Sequence, residues 1–435
     1  MNTNTSSKQD FIKNQISGEL VTIGNESFYK ISNSHLMRPF FMTIVSDSNH
    51  WMFISSNGGL TAGRKNSDFS LFPYYTDDKI TELAETTGCK SIIKIKNNTK
   101  EYLWEPFSER QAGIFNITRN VYKNIYGNKI IFEEINEDLN ITFKYEWNSS
   151  DEFGFVRKAT LVNNSKENLE ANILDGFQDI LPYGVGVDLQ GIRSNLVDAY
   201  KKCELEEDSG LGIFALSAII VDKAEPSEAL KANLVWSLGL ENPTYLLSSQ
   251  QLNNFRRGVA LQQEVDVKAE KGAYLLNAKF ALPANSDKSW ILVANVNQTV
   301  SDVTYLSELI KSGKNLEEIL SNSIEEGTEK LIKLTAASDG LQLSNDPLVN
   351  TRHFSNTLFN IMRGGIFDDN YTIEKEDFST YLANANKELY AAKKTELKNL
   401  PEEFTLNFIK ELADKDSNKD FKRLCLEYLP LKFSR

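Results

Sequence analysis

One stretch of the chain combines residue types that could bind a polar ligand. Two strand-like runs, 39–46 and 51–56, precede the polar, Gly-rich segment SNGGLTAGRKNSD, and an aromatic cluster follows it. A polar loop carried by paired strands is typical of a binding loop on a rigid sheet, and the alternative is an ordinary long hairpin connection. The candidate ligand-binding residues of this stretch are Asn57, Gly58, Gly59, Arg64, Tyr74 and Asp77.

Aromatic residues are frequent near the Gly-rich and proline-containing turns of the same region. Sugars stack their apolar faces on aromatic rings, while Asp, Asn and Arg side chains accept or donate hydrogen bonds to their hydroxyl groups. The alternative for each ring is a place in the core or on a sheet face. The residues concerned are Trp51, Phe72, Tyr74, Tyr75, Trp104 and Phe107.

A second candidate lies in FNIMRGGIFDDNY, residues 359–371. A helix that ends at Arg363 would place a guanidinium beside a Gly-Gly pair, and Arg binds phosphate or carboxylate groups through two parallel hydrogen bonds. The alternative is a helix C-cap in which Gly364 or Gly365 adopts the left-handed conformation. We therefore take Arg363 as a candidate phosphate ligand.

Motifs for metal, cofactor or nucleophilic chemistry are not found in the sequence. It contains no GxxxxGK[ST], HExxH, GxSxG or CxxC, and His35, His50 and His353 lack metal-ligand spacing. We expect no metal and no cofactor, and we assign no catalytic residue. Three aspartates, at positions 175, 179 and 188, fall in an expected loop, where most aspartates are turn formers.

Composition excludes several classes of protein. A net charge of −12 and a pI near 5.1 argue against general binding to nucleic acid or to an anionic membrane. No apolar run approaches the roughly 18 residues of a membrane helix, and the N-terminus has no signal-peptide pattern. The three cysteines are far apart in sequence and show no disulfide framework. We expect a cytoplasmic protein.

The pattern of apolar residues changes along the chain and predicts its organisation. Residues 1–18 are polar and flexible, and 19–300 contain about fifteen strand-like runs, which favours one large antiparallel sandwich. In ITFKYEW the apolar residues alternate with polar ones, as in a half-buried strand. Helical spacing begins near residue 301, giving a linker over 301–340 and further helices over 341–435. The apolar end, LCLEYLPLKFSR, suggests a truncated helical domain.

Several segments of the sequence resemble the N-terminal part of inverting glycoside phosphorylases of the cellobiose and chitobiose phosphorylase type. The early hairpin FFMTIVSDSNHWMFISSNGGLTAGRKNSDFSLFPYYTDD resembles the family's Gly-Gly loop with its following arginine and aromatics. EYLWEPFSERQAGIFNITRN resembles its Trp-x-Pro segment, and FGFVRKATLVNNSKENLEANILDGFQDIL resembles one of its sandwich strands. FNIMRGG resembles a segment near the active site. Together these segments span most of the chain.

This resemblance implies a fold and an activity. The implied fold is mainly β with C-terminal α: a galactose mutarotase-like β-supersandwich, a helical linker, and the start of an incomplete (α/α)6 barrel. The implied partners are a β-linked oligosaccharide and inorganic phosphate, which attacks the glycosidic bond, and a second copy of the chain bound through the sandwich. The family's catalytic acid lies in the barrel, and no counterpart of it is found here. We therefore expect a carbohydrate-binding portion of such a glycosyltransferase-type enzyme, not catalytic alone.

Two other interpretations remain open. A carbohydrate hydrolase or lyase of related architecture would release product without phosphate. A non-catalytic scaffold would use the sandwich mainly as a dimer interface and would bind no sugar.

Overall fold

The computed structural model describes most of the chain. It covers residues 15–75, 77–97, 100–192, 194–218, 230–338, 340–364, 366–367, 372–428 and 431–432, with the backbone alone at 77–78, 191–192, 194–195, 363–364, 366–367 and 431–432. The chain forms two compact units, Met1–Ala336 and Ala337–Arg435. The prediction of a mainly β chain, with a large antiparallel sandwich and helices at its C-terminal end, is confirmed.

The first unit contains nineteen described strands. They are β1 Ser17–Ile23, β2 Glu26–Ser32, β3 Phe41–Ile44, β4 His50–Ser55, β5 Leu60–Arg64, β6 Gly88–Lys96, β7 Glu101–Trp104, β8 Ile117–Asn124, β9 Ile130–Asn136, β10 Ile141–Ser150, β11 Gly154–Asn163, β12 Leu169–Ile180, β13 Lys201–Glu206, β14 Leu211–Leu216, β15 Lys231–Leu238, β16 Thr244–Leu246, β17 Asp266–Lys268, β18 Gly272–Leu282 and β19 Ser286–Thr299. Its helices are α1 Asp77–Glu82, α2 Val187–Ile192, α3 Ser194–Asp198, α4 Leu252–Arg256, α5 Val300–Lys311 and α6 Leu316–Ala336.

These strands form three antiparallel sheets. The large sheet has the order β1-β2-β8-β9-β10-β11-β19-β15-β14-β13-β17, the small sheet has the order β16-β18-β12-β6-β7, and β3-β4-β5 form a third sheet. Side chains of all three sheets meet in one hydrophobic core. The predicted alternation in β10 is confirmed, because Ile141, Phe143, Tyr145 and Trp147 are all buried in that core.

Helices cover the outer faces of both larger sheets. Leu306, Leu309 and Leu320 of α5 and α6 pack on the outer face of the large sheet in a second cluster. Phe255 of α4 packs on the outer face of the small sheet with Leu174 and other residues. The sandwich therefore lies between helical layers, with each strand buried on both faces where a helix covers it.

A buried ion pair joins the two larger sheets. Arg157 of β11 and Asp175 of β12 contact each other through two hydrogen bonds of 2.7 and 3.0 Å, and the side chains are 0% and 1% exposed. Ser91 of β6 and Trp290 of β19 donate to the same carboxylate at 2.5 and 2.6 Å. The Arg157 guanidinium also lies 4.7 Å from the Tyr145 ring centroid. Burial opposes its charge, but Asp175 outweighs burial and raises the pKa of Arg157.

The structure corrects two local predictions. The segment SNGGLTAGRKNSD is not one loop, because Leu60–Arg64 form β5, with one turn before it at 56–59 and another after it at 65–68. Asp175 and Asp179 lie in β12, not in a loop, and Asp179 occupies a β-bulge with φ 58°. Asp188 lies in the first turn of α2, also not in a loop. Helix α5 is capped by Thr299, whose side chain and that of Asp302 form a capping box.

The second unit has its own core. Its described elements are α7 Pro347–Gly364, β20 Ile366–Phe367, β21 Thr372–Glu374, α8 Lys375–Ala385, α9 Lys387–Lys398, β22 Glu403–Thr405, α10 Leu406–Lys415, α11 Lys419–Glu427 and β23 Leu431–Lys432. The antiparallel pair of β21 and β22 and helices α8 to α11 bury Phe378, Ile409 and Phe421 together. Tyr428 donates a hydrogen bond to Asp377, which fastens the end of α11 to the start of α8. Among the described helices of both units, none is long and apolar enough to cross a membrane.

Removing the carboxylate charge should test the buried ion pair. Asp175→Asn leaves Arg157 buried without a counter-charge, so we expect a loss of about 3–5 kcal/mol in the free energy of unfolding, measured by urea titration. Lys158→Ala is the matched control, because Lys158 lies next to Arg157 but pairs with Glu317 at the exposed surface. That variant should lose less than about 1 kcal/mol. Equal losses in both variants would contradict a structural role for the pair.

Candidate functional site

The Gly-Gly turn between β4 and β5 is built for close packing. Gly58 has φ 91°, a conformation that favours glycine. A Cβ atom on Gly59 would lie 2.1 Å from the carbonyl oxygen of Ile80. The Asn57 side chain fixes the turn, because its amide donates to the Thr81 carbonyl at 2.9 Å and its oxygen accepts from the Gly59 N–H at 3.2 Å. The turn therefore sits directly against the end of α1.

Two pockets flank this turn. The small pocket has a volume of 20 Å³, room for about one water molecule, and is lined by Asn57, Gly58 and Phe107 among other residues. The large pocket has a volume of 280 Å³ and shares Asn57 and Phe107 with the small one. Its other walls come from the segment before β3 and from β8, and include His35 and Arg119. The turn and Phe107 thus separate a water-sized pocket from one of ligand size.

Phe107 is held in a strained conformation at this boundary. Its φ of 61° is unusual for a bulky residue. The buried carboxylate of Glu134 accepts the Phe107 N–H at 2.7 Å, and it also accepts from Trp104 Nε1 at 2.8 Å and Arg119 Nε at 2.7 Å. The Phe107 ring meets the Tyr145 ring edge to face at 5.3 Å. The Glu134 carboxylate, which accepts three hydrogen bonds, therefore fixes the position of Phe107 between the two pockets.

A chain of alternating charges begins in the small pocket. Glu85 accepts from Ser108 Oγ at 2.7 Å and pairs with Lys90 at 2.8 Å. Lys90 lies 3.2 Å from Glu105, whose carboxylate takes two hydrogen bonds of 2.6 and 2.8 Å from Arg256. Burial alone would raise the pKa of both carboxyl groups. At Glu85, Lys90 and Ser108 outweigh burial and lower the pKa below its usual range. At Glu105, Arg256 and Lys90 have the same effect on the pKa.

Titratable groups of the large pocket are also tied to neighbours. The Arg119 N–H donates to His35 Nδ1 at 3.3 Å, and Arg119 pairs with Glu109 at 2.8 Å. Burial and the Arg119 charge lower the pKa of His35. Burial opposes the charge of Arg119, but Glu134 and Glu109 outweigh it and raise the Arg119 pKa. His35 is therefore neutral near pH 7, and because its Nδ1 accepts the backbone N–H of Arg119, its Nε2 carries the proton and can donate a hydrogen bond.

This electrostatic arrangement suits binding of a polar ligand. The two carboxylates Glu85 and Glu105 stay ionised, so neither can donate a proton near neutral pH. Burial and the neighbouring Cys89 raise the pKa of Tyr145 well above its ordinary value. Burial likewise raises the pKa of the Cys89 thiol to about 11, despite the nearby Arg157 charge, so the thiol is a poor nucleophile. In the described residues, no group of three or more His, Cys, Asp or Glu side chains could hold a metal.

The structure brings some predicted residues together and separates others. Asn57 and Gly58 line the small pocket, Asn57 also lines the large one, and Gly59 supports the turn. Arg64 lines neither pocket, because its guanidinium contacts Asp151 at 2.8 Å, Asn49 at 2.7 Å and the Asp151 carbonyl at 2.9 Å. Tyr74 lies elsewhere too, packed edge to face on Trp51 at 5.5 Å. The proposed sugar contacts of both residues stay predictions.

Two predicted ligands lie outside what the structure describes. The side chains of Asp77 and Arg363 are not among the described ones, although both backbones lie in helices, α1 and α7. Of the aromatic residues considered for sugar stacking, Trp51, Phe72 and Trp104 are buried. Sequence patterns did not indicate the charged residues around the pockets, because these residues come from five separate segments. These residues are His35, Glu85, Lys90, Glu105, Glu109, Arg119 and Arg256.

Residues 367–430 match the model of glycoside hydrolase family 149 insertion domain 1. This match supports a carbohydrate-active protein. It covers the greater part of the second compact unit and none of the sandwich. No curated protein matches the chain.

Solved structures with a similar arrangement share little sequence with the chain. A bacterial glucoamylase complexed with acarbose has 10% identity and a TM-score of 0.41, with 92% of this chain and 54% of that chain covered. A putative kojibiose phosphorylase from human microbiome has 9% identity and a TM-score of 0.31, with 81% and 40% covered. A GalM/aldose epimerase homologue from C. elegans has 9% identity and a TM-score of 0.33, with 60% and 100% covered. The chain thus spans about half the length of the glucoamylase, and similarities this loose assign no function.

The tight packing of the turn predicts the effect of a single methyl group. Gly59→Ala should lower the free energy of unfolding by about 2–3 kcal/mol, since the new Cβ must displace the Ile80 carbonyl. Gly24→Ala is the control, because no atom lies within 4 Å of its Cβ position and only its φ of 59° opposes the change. We expect Gly24→Ala to lower the free energy of unfolding by about 1 kcal/mol. A Gly59 variant no less stable than the control would show that the turn can move.

The lowered pKa values of Glu85 and Glu105 predict a dependence of stability on pH. A carboxyl whose folded pKa lies below its unfolded value of about 4.3 stabilises the fold above that pH, and the contribution disappears as the pH falls through the folded pKa. Glu85→Gln should therefore reduce stability at pH 7, and it should lose less than wild type on acidification from pH 5 to 3. Urea midpoints across this range measure the effect. In the exposed control variant Glu137→Gln, the urea midpoint should change with pH as it does in wild type. The same pH dependence in Glu85→Gln would contradict a lowered pKa for Glu85.

Proposed function

We propose that the chain is the carbohydrate-binding portion of a glycoside phosphorylase-like enzyme that acts on β-linked oligosaccharides with inorganic phosphate. The observation that carries this proposal is the match of residues 367–430 to a glycoside hydrolase family 149 domain. The large pocket beside the Gly-Gly turn adds support, since its size of 280 Å³ and its mixed polar and aromatic lining suit a sugar ring. A net charge of −12 disfavours an anionic polymer as the ligand.

In this proposal the large pocket binds a saccharide unit. The Phe107 ring offers an apolar wall, and the Asn57 amide and Glu109 carboxylate are placed to bond hydroxyl groups. Glu109 suits this task because its side chain is 73% exposed. Neutral His35 adds an Nε2–H group that can donate a hydrogen bond to a hydroxyl. The pocket then orients the sugar and supplies no proton.

The chemical step would take place elsewhere. Phosphate oxygen attacks the anomeric carbon, the bond from that carbon to the glycosidic oxygen breaks, and an acid protonates the leaving oxygen. Because Glu85 and Glu105 are held ionised, we propose that the acid comes from the (α/α)6 barrel of such an enzyme. Arg363 is proposed as a phosphate ligand. Arg64, Tyr74 and Asp77 are proposed to extend the saccharide site, with Arg64 also bracing the hairpin through Asp151.

A domain scheme and an assembly complete the proposal. Residues 19–300 form the carbohydrate-binding sandwich, 301–340 the linker and 341–435 the first helices of the barrel domain. Within that last part, residues 367–430 are proposed as a domain inserted after α7. We further propose a cytoplasmic homodimer formed through the sandwich.

Hydrolysis is the second candidate, since the matching domain belongs to a family described as a glycoside hydrolase. Such an enzyme would use water in place of phosphate. The sandwich and its pockets would then serve the same binding role, and the two reactions differ only in the product at the anomeric carbon.

Phosphate dependence of the full-length gene product decides between the two reactions. We expect a sugar 1-phosphate, detected by phosphorus NMR, when β-linked gluco-oligosaccharides are supplied with inorganic phosphate, and no product without it. Reducing sugar released without phosphate would support the hydrolase instead. A complete lack of turnover and of sugar binding, with a concentration-dependent dimer in light scattering, would leave a scaffold role.

The binding role can be measured on the chain itself. Glu109→Gln should weaken oligosaccharide binding about fivefold in calorimetric titrations, as expected for the loss of one hydrogen bond to a charged acceptor. The control is Glu308→Gln, which changes an exposed glutamate of α5 that lines neither pocket. Similar affinity for both variants would exclude Glu109 from the saccharide site.

A further inference from the structure

A second cleft lies at the other end of β6 from the Gly-Gly turn. It has a volume of 500 Å³, within the range of ligand sites, and it is lined by residues at the end of β6, on β7, and in the turns that follow β9 and β11. Lys90 of β6 lines the small pocket, while Ile95 of the same strand lines this cleft. A strand rises about 3.3 Å per residue, so the two sites are separated by roughly 15–20 Å along β6. We call this site the turn cleft.

The floor and one wall of the turn cleft are apolar. Ile95, Leu139 and Leu169 contribute to its floor, and Ile95 and Leu169 belong to the main core. The half-buried Tyr102 ring of β7 forms a wall, and Lys100 Nζ lies 4.7 Å from its centroid. The cleft therefore presents an apolar surface that a sugar ring could cover with its C–H face.

The rim of the turn cleft carries polar groups that lack protein partners. In the described part of the chain, no hydrogen-bond partner is found for the Tyr102 hydroxyl, the Asn140 amide, the Lys166 ammonium or the Glu167 carboxylate. The set contains donors and acceptors of different types, so it suits a ligand with many hydroxyl groups. Asp138 and Glu167 are balanced in charge by Lys166 and by Lys100 beside Tyr102, so the cleft has no net positive charge to favour an anionic ligand such as phosphate.

The backbone of the cleft is held in place before any ligand arrives. The Asn164 N–H donates to the Asn140 carbonyl at 2.9 Å, and the Asn164 amide donates to Thr142 Oγ1 at 2.9 Å. The fully buried Asn163 amide donates to the carbonyls of Glu167, Leu282 and Pro283 at 2.8–3.1 Å. Two of the turns are thereby tied to each other and to β18, so a ligand would meet a preformed surface.

We propose that the turn cleft is a second saccharide-binding site, distinct from the pockets beside the Gly-Gly turn, in which a neutral sugar unit stacks on Tyr102 and bonds to Asn140 and Glu167. The choice of a saccharide as the ligand class rests on the proposed function. A long oligosaccharide held here would stay near the first site, which raises its local concentration there. A disaccharide would gain nothing from this second contact.

The test is oligosaccharide binding to the full chain, by calorimetry and saturation-transfer NMR, with neutral β-linked gluco-oligosaccharides of increasing length. Tyr102→Ala should weaken binding of the longer ligands about tenfold, since a stacking surface is lost. Glu167→Gln, an exposed change that leaves the turn's backbone bonds intact, should weaken it severalfold. Tyr305→Ala is the matched control, because Tyr305 is 55% exposed on α5 and far from the cleft in sequence.

The outcomes separate this inference from the proposed function. Binding that depends on Tyr102, without any phosphate-dependent turnover of the full-length gene product, would uphold the second site and reject the phosphorylase proposal. Turnover of a disaccharide with binding of long ligands unchanged in both Tyr102→Ala and Glu167→Gln would reject the second site alone. An absence of oligosaccharide binding to wild type at millimolar concentration would also overturn it. Loss of folding in Tyr102→Ala, seen by circular dichroism, leaves the Glu167→Gln result to decide.

Discussion

The ion pair of Arg157 and Asp175 is the constraint on which the sandwich depends. It lies between the two larger sheets, where an unpaired charge would cost several kcal/mol, so the strands that carry it must keep their register. Ser91, Trp290 and Tyr145 bring three further strands to the same point. A slip of one residue in β11 or β12 would turn its charge toward the opposite face. The pair therefore specifies how the sheets align, as well as contributing to their contact.

The same pair links the core to the candidate site. Ser91 donates a hydrogen bond to Asp175 and also lines the small pocket, together with Tyr145. The floor of that pocket is therefore formed by residues that contact the buried ion pair. Trp147 Nε1 and Arg157 Nε have no hydrogen-bond partner among the described residues. Both side chains limit the rise that burial causes in the pKa of the neighbouring Cys89 thiol. The geometry around the Gly-Gly turn is thus fixed from below by side chains that never reach solvent.

Sequence patterns predicted the classes of structure better than the details of the site. The period-two pattern of ITFKYEW and the helical spacing after residue 300 identified β10, α5 and α6, since burial alone determines both patterns. Asp175 was assigned to a loop because a charge in a central strand contradicts that pattern, and its partner Arg157 is distant in sequence. Arg64 looked free for a ligand because sequence does not reveal its contacts with Asn49 and Asp151. The charged chain from Glu85 to Arg256 joins residues far apart in sequence, so no local motif could indicate it.

The junction of β19 and α5 has a mechanical consequence. The strand ends at Thr299 and the helix begins at Val300, so a single peptide bond joins them. The capping box fixes the change in backbone direction between the strand and the helix. No loop remains at this point to absorb a change of angle. The strand and the helix must then move together. A twist of the large sheet is therefore transmitted directly to the helices that cover it. A change of angle between the large sheet and the segment that follows it therefore has no loop available before the end of α5 at Lys311.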